Sequence, residues 1–253
     1  MTPGTRTSRA KADAFLAVAV LAAVWKLGSI AVGADIILPA PERVLSTLAR
    51  VASDDGFVAA LSATALRGLA SFGVSMALGV SLGFAAGVSD RFRAMLAPVL
   101  TVTRATPVLA IILLAMIWFP SGIVPVFSAV VMAFPVAASD VAAGVRSADP
   151  RLLDMARSFG VPARDVAARI RLPSAAPHLA SAARNAIGLS WKVVVAGEVL
   201  SQPAYAVGTG MQNARVMLET AEVFAWAAVG ILLCAASDAL FDLLSRRLSW
   251  ATK

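Results

Sequence analysis

Fifteen carboxylates, one histidine and one cysteine are the groups in this 253-residue chain that could do acid–base, nucleophilic or metal chemistry. A metal centre or a histidine-based triad needs several such groups at fixed spacing, and His178 and Cys234 each stand alone. No Gly-x-x-x-x-Gly-Lys-[Ser/Thr] phosphate loop occurs, since Gly208-Thr209-Gly210 has no following lysine. The chain is therefore expected to be no enzyme and to need no cofactor or metal. What remains is charge set in apolar sequence: Glu198, Asp140 and Asp238, with Arg104, Arg184 and Lys192. Carboxylates inside a membrane are functional candidates by default, and one reading is a secondary carrier driven by a proton or ion gradient. A plainer reading also fits, because Asp140 is near a span end and Asp238 and Asp242 lie one turn apart near the C-terminus. Glu198 needs a basic companion, for which Lys192 and Arg184 are the expected choices. On one helix Lys192 and Glu198 are about 240° apart, so pairing requires another helix or another subunit.

The elements that must hold these charges are membrane spans. Apolar residues make up 59% of the chain and charged residues only 15%, against about 45–50% and 25% in soluble domains. Residues 68–89 and 105–139 contain no charged side chain, which meets the length rule for crossings. The pattern predicts an all-α polytopic membrane protein with six transmembrane helices near 14–33, 66–88, 95–118, 122–145, 179–200 and 223–244. Phe119-Pro120-Ser121-Gly122 supplies turn chemistry between the third and fourth. In the second span Gly79, Gly83 and Gly87, with Ser75, bare one helix face for close approach, within the chain or between subunits. Residues 39–49 read as a short amphipathic surface helix with Val44, Leu45 and Leu48 on one face.

Basic residues set the orientation. Fourteen of the 22 fall on one face: Arg6, Arg9, Lys11, Arg91, Arg93, six arginines at 146–171, Arg246, Arg247 and Lys253. Arg43, Arg50 and Arg215 fall on the other. Positive-inside bias puts both termini and the 146–178 loop in the cytoplasm. The resulting organisation is a cytoplasmic segment 1–13, a six-span unit 14–245 and a tail 246–253. The first span has no clear cleavage site after it and is read as retained.

The 149–173 segment reads as helix, turn, helix. Asp149 can cap the first helix with Pro150 at its first position, Gly160 can take the left-handed C-terminal conformation, and Pro162 can open the second. Pro173 is expected to limit it. A DNA-binding helix-turn-helix would need a third supporting helix and a free recognition helix, whereas this one is tethered to spans at both ends. No nucleic acid is expected. The segment resembles the EAA loop of ABC importer permeases: Glu-Ala-Ala, three residues, Gly, nine residues, Ile, one residue, Leu-Pro. Asp154, Met155 and Ala156 stand at the first three positions, then Gly160, Ile170, Leu172 and Pro173, with every spacing kept.

The resemblance extends to the nitrate, sulfonate, taurine and bicarbonate branch through Leu38-Pro39 with Pro41, Arg104 with Pro107, Leu109, Ala110, Trp118 and Phe119, Gly144-Val145-Arg146-Ser147, Asp149-Pro150, and Gly188, Trp191 and Glu198. Leu113, Pro120 and Lys192 depart from that branch's pattern. The resemblance implies a type I importer permease of a bacterial inner membrane: a homodimer forming the pathway, cytoplasmic ABC ATPase subunits, and an extracytoplasmic substrate-binding protein. It implies ATPase contact through Asp154, Met155, Ala156, Gly160, Ile170, Leu172 and Pro173, and places Arg104, Trp191 and Glu198 as candidates along the pathway. The implied substrates are sulfonates, nitrate, taurine or the pyrimidine precursor of thiamine.

Overall fold

The structure, a computed structural model, describes residues 3–247; most of the expected tail 246–253, Lys253 included, lies outside the described residues. Those residues form helices joined by short turns: α1 (Pro3–Val32), α2 (Pro41–Ala52), α3 (Phe57–Val88), α4 (Asp90–Ala105), α5 (Val108–Trp118) and α6 (Val124–Arg146). Then come α7 (Pro150–Ser158), α8 (Ala163–Val166), a π-helical turn (Ala167–Arg171), α9 (Leu172–Ser201), α10 (Val207–Val216) and α11 (Thr220–Arg247). Helices α3, α6 and the Thr220–Phe241 part of α11 are long and apolar enough to cross a membrane. The pair α4 and α5 meets that test only jointly, and α1 and α9 occupy the positions of the first and fifth expected spans.

The core is α3, α6 and α9 packed side by side around Ala133, Ala137, Val141, Val145, Ala175, Ala182 and Ala186. In lipid there is little hydrophobic force between helices, so association rests on close dispersion contact, which small residues permit. The glycine stripe of α3 serves this contact within the chain. A Cβ on Gly79 would lie 2.5 Å from the Ala137 Cβ, and one on Gly87 would lie 2.4 Å from the Val145 Cβ. Helices α6 and α9 approach as closely, with Gly197 against Pro125 and Gly144 against His178.

Two expectations about shape are corrected. The third expected span is not one straight helix: α4 and α5 meet at 98° across Thr106 and Pro107. Proline lacks the N–H that would continue the ladder, and it drives the preceding residue out of the helical region, so Thr106 sits at φ −75°, ψ 126°. Helix α4 consequently leaves the core and has no buried residue. On α2 the buried face is Val44, Thr47 and Val51, with Leu48 half-buried, while Leu45 points outward. That face rests on α11, where Arg50 reaches Glu222 at 3.1 Å.

Candidate functional site

The 149–173 segment forms the expected helical hairpin at the arginine-rich end. The Asp149 carboxylate accepts the Arg151 N–H at 2.8 Å, and Pro150 opens α7. At the far end Gly160 takes φ 63°, and Val161 N donates to the Ala156 carbonyl at 2.9 Å. That bond over five residues, with glycine in the left-handed region, is the Schellman closure. Ala156 is buried beneath the turn, whereas Leu152, Met155, Phe159 and Val161 are exposed, Phe159 to 81%. Asp154 is exposed beside Arg157. The hairpin therefore lifts an apolar tip out of a basic loop.

Its second arm departs from expectation, because Pro173 does not end the helix. The chain runs from α8 through the π-helical turn directly into α9, with Ile170 and Arg171 in the turn and Leu172 and Pro173 exposed at the start of α9. A proline ring collides with the carbonyl four residues back, here Arg169, and the wider π turn lies at that carbonyl. Arg171 Nη1 also donates to the Gly87 carbonyl at 3.2 Å, fastening the hairpin to the end of α3.

At the opposite end of the bundle Glu198 is fully buried. Its carboxylate accepts from Arg67 Nη1 at 2.9 Å, from the Thr64 hydroxyl at 2.9 Å and from Gly208 N at 3.2 Å. Thr64 Oγ1 accepts Val207 N at 3.0 Å, and Arg67 also bonds the Tyr205 carbonyl at 3.2 Å. One carboxylate thus ties α3, α9 and the start of α10. The expected companions were Lys192 or Arg184; the companion is Arg67. Lys192 is exposed, and the Arg184 guanidinium lies over the Phe241 ring at 5.7 Å. Thr64 and Arg67 escaped the sequence reading as partners, although their three-residue spacing on one helix face is the available signal. The turn before α10 holds Gln202 and Tyr205 at positive φ, 47° and 52°.

The three pathway candidates do not converge. Trp191 and Glu198, seven residues apart, share the face of α9 that meets α3, and the Trp191 ring fills a notch over Gly68, 2.4 Å from where a Cβ would stand. Arg104 is exposed at the end of α4 and donates to the Pro135 carbonyl at 3.0 Å. Asp140 accepts the Asn185 amide at 3.0 Å. Among the described residues no group of three or more His, Cys, Asp or Glu could hold a metal ion.

A buried tie at one end, a projecting hairpin at the other and glycine-packed helices between them suit a membrane component that works with partners. Residues 75–250 match the family model described as the binding-protein-dependent transport system inner membrane component. The chain belongs to that family. It is 30% identical to the taurine transport system permease protein TauC of Escherichia coli (strain K12), over 91% of this chain and 86% of that one. It is 27% identical to the putative aliphatic sulfonates transport permease protein SsuC of Bacillus subtilis (strain 168), over 91% and 84%. Among solved structures, a crystal structure of an amino acid ABC transporter with histidines superposes with TM-score 0.66 at 18% identity, over 79% of this chain and 97% of that chain. That likeness shows the type I ABC permease fold. The chain is thus a membrane-embedded permease component of a transport system.

Proposed function

We propose that this permease is the membrane-spanning subunit of an ATP-driven importer for a small sulfonate-type solute, coupled to ATPase subunits through residues 149–173. The observation that carries the coupling is the hairpin itself. Its apolar tip of Met155, Phe159 and Val161 is exposed while Ala156 and Gly160 hold the turn, a shape made to insert into a groove of another protein. Fourteen basic residues against three support an orientation with this loop and both termini in the cytoplasm, where ATPase subunits reside. The relatives named for taurine and aliphatic sulfonates support the substrate class. In this reading two copies of the 14–245 unit form the pathway, an extracytoplasmic binding protein delivers solute, and segments 1–13 and 246–253 flank the unit in the cytoplasm. Arg104, exposed where α4 breaks from α5, faces the pathway, and Trp191 and Glu198 hold its wall in shape from behind.

The test is Gly160→Val in the full transporter. A β-branched residue at φ 63° strains the turn by about 1–2 kcal/mol. Uptake is expected to fall while ATP hydrolysis continues uncoupled or the ATPase subunits dissociate. Wild-type uptake and ATPase binding in this variant reject the coupling assignment, and uptake driven by a proton gradient without ATP would mark a secondary carrier.

A further inference from the structure

Lys192 on α9 and Asp238 on α11 each interrupt an otherwise apolar stretch of helix, and charges set in such stretches are functional candidates by default. Among the described residues neither takes part in an ion pair or a side-chain hydrogen bond. Both line the same cleft between α9 and α11. It consists of a cavity of about 480 Å³ walled by Trp191 and Cys234 and an adjoining one of about 400 Å³ that reaches Arg184. These volumes suit a small solute.

Three features of α9 shape the cleft for a ligand. Arg184, Gly188 and Lys192 follow at four-residue spacing, so they share one face. Gly188 leaves open space between the two cations, since a Cβ there would meet nothing within 4 Å. Trp191, buried at 4% exposure, closes the inner wall of the first cavity. One wall therefore offers positive charge, and the facing wall offers a carboxylate.

A simple anion would meet Lys192 but be repelled by Asp238, and a simple cation would meet the reverse. A molecule with both charges satisfies both walls at once. We propose that this cleft binds a small zwitterion, an amine joined by a short chain to a sulfonate or carboxylate, with the anionic end at Lys192 and the ammonium at Asp238. The proposal rests on the transport reading above and narrows its substrate class. Phosphatidylethanolamine carries the same pair of charges, so the test separates a free solute from this headgroup.

Cys234 is the only cysteine in the chain and lines both cavities, so it reports occupancy without engineering. The full permease–ATPase complex is placed in phosphatidylglycerol nanodiscs and treated with N-ethylmaleimide, and alkylation of this chain is followed by intact mass. Taurine or β-alanine at about ten times its dissociation constant is expected to slow the reaction about tenfold, because only empty cleft reacts. Ethanesulfonate and ethylamine are expected not to slow it. Asp238→Asn should admit ethanesulfonate, and Lys192→Gln should abolish protection by taurine, measured against that variant's own unprotected rate. Equal protection by ethanesulfonate, no protection by either zwitterion, a cysteine that reacts only after denaturation, or protection by added phosphatidylethanolamine alone would overturn the site. Loss of ATP-dependent uptake with cysteine protection intact would instead count against the importer reading and leave the site standing.

Discussion

Two parts of the bundle are fastened near the same end by a carboxylate bonded to a basic side chain from another helix, yet one fastening is buried and the other is not. Glu198 and Arg67 are 0% and 16% exposed, and they join α3, α9 and α10. Glu42 and Lys26 are 65% and 42% exposed, and they join only α2 to α1. Around Glu198 the helices meet through bare backbone at Gly197, which lies against Pro125, and at Gly208, which lies against Glu198 itself. Around Lys26 there is only the Trp25 indole, stacked on Phe224 at 5.6 Å and bonded to the Pro39 carbonyl at 3.1 Å, while Leu16, Leu21, Val24 and Leu27 stay exposed. Burial, and not the number of charges, decides which contact sets the shape: a buried charge cannot lose its partner cheaply, whereas a wet one exchanges it for water.

The largest effect expected from this contrast is at Glu198. Glu198→Leu leaves Arg67 in an apolar site without its carboxylate, a loss of about 3–5 kcal/mol. It should appear as loss of monodisperse protein on size exclusion in detergent. The double variant with Arg67→Met removes both charges and should recover much of that loss; equal losses in the two variants would show that the pair is not the tie. Next comes packing. Gly83→Leu forces a side chain against the Ala138 carbonyl, 2.5 Å from the new Cβ, and overpacking of this kind costs about 1–3 kcal/mol. Gly73→Leu on the same helix meets open space and should leave the thermal midpoint unchanged.

A smaller effect follows at the periphery. Trp25→Ala removes an aromatic pair valued at about 0.5–1.5 kcal/mol beyond its buried area. Hydrogen exchange should rise in α1 while α3, α6 and α9 keep their protection; a rise in all of them would erase the distinction drawn here. The smallest effect is in pH. The Lys26 ammonium, bonded to Glu42, holds that carboxyl below the usual carboxylate range, with its own backbone N–H adding to the effect. A lowered native pKa means that the contribution is complete above the ordinary carboxylate pKa and disappears as pH falls through the lowered value. Acidification through that window should loosen α1 slightly in wild type and not in Glu42→Gln, and high salt should blunt the difference.

Much of this architecture was legible in the sequence because it is local. Apolar run length marked the helices, Phe119 to Gly122 marked the turn before α6, and Asp149, Gly160 and Pro162 marked both ends of the hairpin, each acting within a few residues. The glycine stripe announced close packing but could not name α6 as its partner. The Arg67 bond to Glu198 spans 131 positions in the chain and no periodicity encodes it. The break in the third span was hidden for a different reason: hydropathy measures how much apolar chain there is, not whether it runs straight, and Pro107 sits inside an uncharged run. Pro173 misled in the opposite direction, since a π turn absorbs a ring that an α-helix would not.

The corner between α4 and α5 has a consequence for lipid. At the break, the last carbonyls of α4 and the first amides of α5 have no partner within their own helices, and Pro107 brings no N–H to the Thr103 carbonyl. At hydrocarbon depth such backbone is tolerated only against protein or water. A corner of this kind set at that depth excludes acyl chains, and the proline that makes it would mark where hydration or a neighbouring protein surface takes the place of lipid.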